Sequence, residues 1–200
     1  MFRSTSDGGV AGQLAAEEAR LLRALVDPVV ELLSDGAAKP QAPEPAAETD
    51  VFAELERMFS EDEAGSTPKK APEDPVLARL LPDAYADDPE AAGEFRKYTE
   101  SSLREAKKYF AQVMLDTLPA DGGKFRLTGD QARDWMRAIN DIRLMFGVRL
   151  NVTEDFEEQL AALPADDPSV PVFEVYGWLG AVQESLVQAL AGLRLSSSIC

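Results

Sequence analysis

Apolar residues recur every three or four positions along most of this chain, so the sequence predicts helices almost throughout. Over residues 13–34, Leu14, Leu21, Leu22, Leu25, Val29, Leu32 and Leu33 form one stripe. Asp27-Pro28 interrupts it, because proline lacks a donor and crowds the preceding turn; a kink or a fresh start is expected there. Residues 75–82 give two short turns bounded by prolines. Asp88-Pro89 then opens a helix to about Leu118, with an N-cap carboxylate and proline at the first helical position. On it Phe95, Tyr98, Ser102, Ala106, Tyr109, Val113 and Thr117 share a face that hydrophobicity assigns to the core, with Leu103, Phe110 and Met114 alongside. The small Ser102 and Ala106 at mid-stripe predict a second helix close by. The opposite face, with Glu100, Arg104 and Lys108, reads as a solvated charge row.

Thr128-Gly-Asp-Gln131 matches a capping box, in which hydroxyl and amide satisfy each other's backbone donors. The helix it starts, 129–146, carries Ala132, Trp135, Ile139, Ile142 and Phe146 inward and is expected to end at Gly147. The alternation in 124–128 and 148–152 predicts a minimal two-strand β-ribbon. Thr153 is placed as the cap of a short acidic helix, and Pro171 opens the last helix. The heptad stripe of that helix, Val172 to Leu193, fits either a core or a homodimer seam. The fold class expected is all-α: a compact bundle of about four longer helices plus short ones.

Residues 36–74 depart from this pattern. They form an acidic linker rich in proline and alanine, too poor in apolar surface to offset its ordering entropy. Within it Val51, Phe52, Leu55, Met58 and Phe59 line one face of a short amphipathic helix, which either folds back on its own domain or docks in a partner's groove. The organisation expected is an N-terminal helix in 1–35, the linker 36–74, a main helical domain 75–195 and a frayed tail 196–200.

Composition narrows the chemistry. The chain has no histidine and one cysteine, Cys200, at its last position, which removes the residues behind most proton shuttling and thiol chemistry. An internal disulfide is impossible, so a reducing, cytoplasmic setting is expected. The first 22 residues lack a basic segment followed by an apolar run, and no stretch is long enough for a membrane span. With a formal charge of −16, nucleic acid and anionic membranes are disfavoured and basic partners favoured. Gly8-Gly9 to Gln13 has no phosphate-loop lysine, and Glu61-Asp62-Glu63 and Asp87-Asp88 lack the spacing of a calcium loop. No catalytic residue, metal site or cofactor is expected.

One stretch is locally basic: Lys124, Arg126, Arg133, Arg137, Arg143 and Arg149 stand against Asp130, Asp134 and Asp141. Arg133 and Arg137 face outward and offer phosphate contacts, but Asp134 and Asp141 are read on the same face, with Arg137 paired to Asp141. Arg143 falls inside the apolar arc, where a charge must be paired. The reading is an interhelix polar lock to Gln183 or Glu184. Trp178 lies off the main stripe, as an interface anchor or as cover for the short helices before residue 82.

Three segments, PVLARLLPDAY, LDTLPADGGKFRLTGDQARDWMRAINDIRLMFGVRL and VFEVYGWLGAVQESLVQAL, carry a resemblance. Together they resemble an actinobacterial family first catalogued as a domain of unknown function, whose members are linked to oxidative-stress transcription as redox-responsive regulators. Its genes often lie near those for the ClpS protease adaptor and a sulfur-carrier route to cysteine. The resemblance rests most on Trp135, Asn140, Asp141, Arg143, Leu144 and Gly147, followed by Tyr176, Trp178, Leu179, Gln183 and Glu184. It implies a cytosolic, non-enzymatic regulator that contacts a sigma factor or RNA polymerase. Direct DNA binding through 124–149 and an adaptor role in regulated proteolysis are the alternatives. Redox switching of Cys200 is open only through an intermolecular bridge or mixed disulfide.

Overall fold

The computed structural model describes residues 1–34, 69–164 and 166–197. Phe52, Leu55 and Phe59, with most of the linker, and Cys200 lie outside them. The order is β1 (Phe2–Ser4), β2 (Val10–Leu14), α1 (Ala16–Ser34), α2 (Pro75–Leu80), α3 (Pro89–Thr117), β3 (Gly123–Leu127), α4 (Gly129–Arg149), α5 (Phe156–Ala161) and α6 (Val170–Ser197). The protein is therefore predominantly helical, with a small antiparallel sheet in the order β1-β2-β3. None of these helices is long and apolar enough to cross a membrane.

The caps expected at Asp88 and Thr128 form, that expected at Thr153 does not, and Asp74 caps α2 without having been expected. Asp74 and Asp88 accept from the backbone N–H groups of Leu77 and Ala91 at 2.9 and 3.0 Å. Thr128 and Gln131 close their capping box at 2.9 and 3.1 Å. Helix α1 runs unbroken through Pro28, so that proline neither stops nor restarts it.

Four expectations fail around the sheet and the end of α4. The ribbon between 124–128 and 148–152 does not form: β3 pairs with β2, and residues 148–149 continue α4 past Gly147. The helix instead ends in paired backbone caps, Asn151 N–H to the carbonyl of Val148 at 3.2 Å and Val152 N–H to that of Gly147 at 2.9 Å, with Asn151 at a positive φ of 48°. Leu14, read as helical, lies in β2. The short helix α5 is preceded by Asp155 rather than capped by Thr153, whose N–H donates to the Gln159 amide.

The sheet's inner face explains why two such short strands form. Phe2 and Phe125 pack at 5.7 and 5.3 Å from the fully buried Trp135 of α4. Gly12 sits between those rings, and a Cβ there would lie 2.6 Å from Phe125. Strand β1 is fastened to α6 by the Phe2 N–H donating to Ser185 Oγ at 2.7 Å. Trp135 Nε1 in turn donates to Thr117 Oγ1 of α3 at 2.7 Å. One continuous core thus joins the strands, α1, α2, α3, α4 and α6.

Candidate functional site

Helix α3 is turned the opposite way from its hydrophobic pattern. Arg96, Glu100 and Arg104, with Glu100 and Arg104 expected in a solvated row, are buried. Phe95, Tyr98 and Tyr109, expected in the core, are 46%, 72% and 59% exposed. The reason is a ladder at i,i+4 spacing whose charges pair with one another and with groups from neighbouring segments. Glu100 accepts from Arg104 Nε at 2.9 Å, from Arg96 Nη1 at 3.2 Å and from Lys69 Nζ at 2.9 Å. Arg96 also reaches Asp83 at 2.5 Å and the carbonyl of Leu81 at 3.1 Å. Arg104 donates to the carbonyl of Leu33 at 3.2 Å, near the C-terminal end of α1 where carbonyls lack helical partners. Burial pushes the Glu100 carboxyl up, but the hydrogen bonds from Lys69, Arg104 and Arg96 outweigh it and hold the group below its ordinary value. Paired and bonded, these charges can occupy the inner face that isolated charges could not.

What is left outside is an aromatic stripe. Five of the seven large apolar side chains exposed among the described residues belong to α3 or the turn before it: Tyr85, Phe95, Tyr98, Leu103 and Tyr109. From Phe95 to Tyr109 the stripe runs about 21 Å at 1.5 Å per residue. Tyr85 packs edge-on to Phe95 at 6.0 Å, and Lys97 lies 5.4 Å from the Tyr98 ring. Ser102, exposed, and Ala106, half-exposed, lie between the rings along the helix. No described helix or strand packs over the stripe. On the α4 side the stripe passes Leu103 into a hollow of about 330 Å³ with Phe110 and Met136 in its wall. The signal in the sequence was the i,i+4 series Arg96, Glu100, Arg104, which pairs as well indoors as out.

The remaining candidates are dispersed. Arg143 donates to Gln183 Oε1 at 2.5 Å and lies 5.1 Å from the Tyr176 ring, while Glu184 points away and accepts from Gln188 at 3.0 Å. Arg133 and Arg137 pair with Asp130 and Asp134 on their own helix at 3.4 and 2.9 Å. Asp134 and Asp141 do not share their solvent face as expected: both are buried, and Asp141 is held by Lys107 of α3 at 2.5 Å. Arg137 lies 4.8 Å from the Phe110 ring. Trp178 is half-buried against the core, and its Nε1 donates to Glu18 of α1 at 3.3 Å; the expected short helix at 51–59 lies outside the described residues.

The arrangement defines a small, acidic, mostly helical protein in which α3 buries a charged ladder and leaves aromatic side chains on its outer face. The chain belongs to the family described as a domain of unknown function, DUF2017, whose model matches residues 1–190. It is similar to the "Oxidative stress regulator AosR" of Mycobacterium tuberculosis and that of Mycobacterium bovis. Each is 34% identical over 194 residues, covering 90% of this chain and 82% of the relative. No solved structure matches it.

Proposed function

We infer that this chain is a non-enzymatic regulator that works by protein contact in stress-linked transcription, docking a basic helix of a sigma factor or RNA polymerase. The observation that carries the reading is the outward stripe of α3. Contiguous exposed aromatic surface is uncommon on soluble proteins and marks contact sites, where tyrosine and other aromatics act as anchors. The small Ser102 and Ala106 between the rings suit a close-packed helix. Asp87, Asp88, Glu90, Glu94 and Glu105 rim the stripe against Lys97 and Lys108, so the complementary surface is basic. The relatives' name supports the link to oxidative stress, and family membership supports carrying it here.

Direct DNA binding draws less support, because Arg133 and Arg137 are each engaged by a carboxylate on the same helix. A photoreactive residue in place of Tyr98, offered purified RNA polymerase holoenzyme, tests the reading. Cross-links from position 98 and none from position 126 on the sheet are expected, weakening as salt rises. Cross-links only to a second copy would make the stripe a homodimer seam. Tight DNA binding with a steep salt slope, lost when Arg133 and Arg137 become alanine, would replace protein contact with nucleic-acid recognition.

A further inference from the structure

Arg143 carries a charge that no carboxylate among the described residues pairs with. Its guanidinium is half-buried between α4 and α6, beside Gly180. Its contacts are neutral: the Gln183 amide oxygen at 2.5 Å, the Tyr176 hydroxyl at 3.5 Å and the Tyr176 ring. Its Nε, like that of Arg96, is enclosed and donates to nothing among the described residues. Each of the other buried arginines, Arg96 and Arg104, meets a carboxylate. The C-terminal carbonyls of α4 do not supply the missing charge either. Those of Phe146, Gly147 and Val148 already accept from Leu150, Val152 and Asn151.

The Arg143 guanidinium lines a surface hollow of about 550 Å³ where α2, α4, α6 and the segment after α4 converge. Arg79, at the end of α2, lines the same hollow and has no carboxylate partner among the described residues. Asn140 and Thr153 present an amide and a hydroxyl there, and Leu144, Val148 and Val152 supply apolar wall. One acid, Glu154, stands among the lining residues, so the hollow is net positive in a chain of charge −16. Its volume falls within the range of small-molecule sites, well beyond that of a bare ion.

We propose that this hollow binds a small organic oxyanion, a carboxylate or phosphate headgroup on a compact apolar body. The headgroup lies between Arg143 and Arg79, where a planar guanidinium meets an oxyanion through two hydrogen bonds. The body lies on Val148 and Val152. The site is independent of the α3 stripe, since neither Arg79 nor Arg143 belongs to that helix.

Nuclear magnetic resonance titration of the full chain tests it, following the arginine Nε–H signals and the backbone amides at constant ionic strength. The probes are acetate, benzoate, inorganic phosphate and phenyl phosphate, with chloride as the control. Saturable shifts at Arg143 and around Asn140 and Tyr176 are expected, with benzoate and phenyl phosphate binding about tenfold tighter than acetate and phosphate. Whichever headgroup series binds tighter identifies the physiological oxyanion. Arg79→Ala, at an exposed position that leaves the fold intact, is expected to weaken binding at least about fivefold. Arg143→Lys keeps the charge but loses the planar fork and is expected to weaken it about tenfold. Shifts that never saturate, that chloride reproduces, or that survive Arg79→Ala unchanged would overturn the proposal. So would movement of the Arg143 Nε–H signal on Glu154→Gln without any probe, which would show the chain's own carboxylate occupying the site.

Discussion

Replacing Glu100 by alanine separates the two ways of orienting α3. In the structure this side chain is 4% exposed and receives three charge-assisted hydrogen bonds, at 2.9, 2.9 and 3.2 Å. The Lys69 arm is half-exposed and contributes a few tenths of a kcal/mol, at about the level of surface pairs. The Arg96 and Arg104 arms are buried, and removing one member of a buried ionic group typically costs about 3–5 kcal/mol. Asp83 and the carbonyls of Leu81 and Leu33 still hold those arginines, which puts the expected loss near the lower end, about 3 kcal/mol. At a urea slope of about 2 kcal/mol/M the unfolding midpoint should fall by about 1.5 M. Because the folded-state carboxyl is held below 4.5, its contribution is present above that value and disappears as pH falls through the depressed one. Parent and variant should therefore converge in acid. A loss within about 0.5 kcal/mol, constant with pH, is what an exposed i,i+4 pair would give and would refute the inward placement of the charges.

Gly12→Ala should destabilise by about 1–3 kcal/mol, since its Cβ would sit inside contact distance of both Phe125 and Phe2; a thermal melt unchanged from the parent would mean the sheet packs otherwise. Burial raises the Asp141 carboxyl above its ordinary 3.8 despite Lys107, so its protonated form fits the fold better and its effect turns unfavourable as pH rises through the shifted value. Asp141→Asn should consequently gain stability relative to the parent with rising pH in denaturant titrations, and a relative loss would reverse the assignment. Gln183→Ala takes the one amide acceptor from Arg143 and should cost about 1–3 kcal/mol in urea, whereas no change would mean the guanidinium is held by Tyr176 alone.

Features with a local cause were legible in the sequence. The capping box at Thr128, the proline starts at Pro75 and Pro89, the Trp135 stripe of α4 and the placement of Arg143 toward α6 all follow from neighbours within a turn or from helical spacing. What was missed depends on partners far along the chain. Phe2 and Val10 are strand residues because β3, more than a hundred positions away, completes their sheet over Trp135. Glu100 is buried because Lys69 near the end of the linker, the Leu81 carbonyl and the end of α1 come together at its ladder. Hydrophobicity alone placed Phe95 and Tyr98 in the core; the ladder's ion pairs and its bonds to distant carbonyls overrode it. Those outward aromatics became the candidate site through that same inversion.

If the stripe exists for a partner, removing its rings must cost binding and leave folding intact. The most direct measurement is the affinity of purified RNA polymerase holoenzyme for the parent chain and for the Tyr98→Ser, Tyr109→Ser double variant, taken on samples with matched urea midpoints. Two central anchors of this kind predict a loss of about a hundredfold or more. An affinity equal to the parent's would contradict the claim that α3 faces outward to dock that partner.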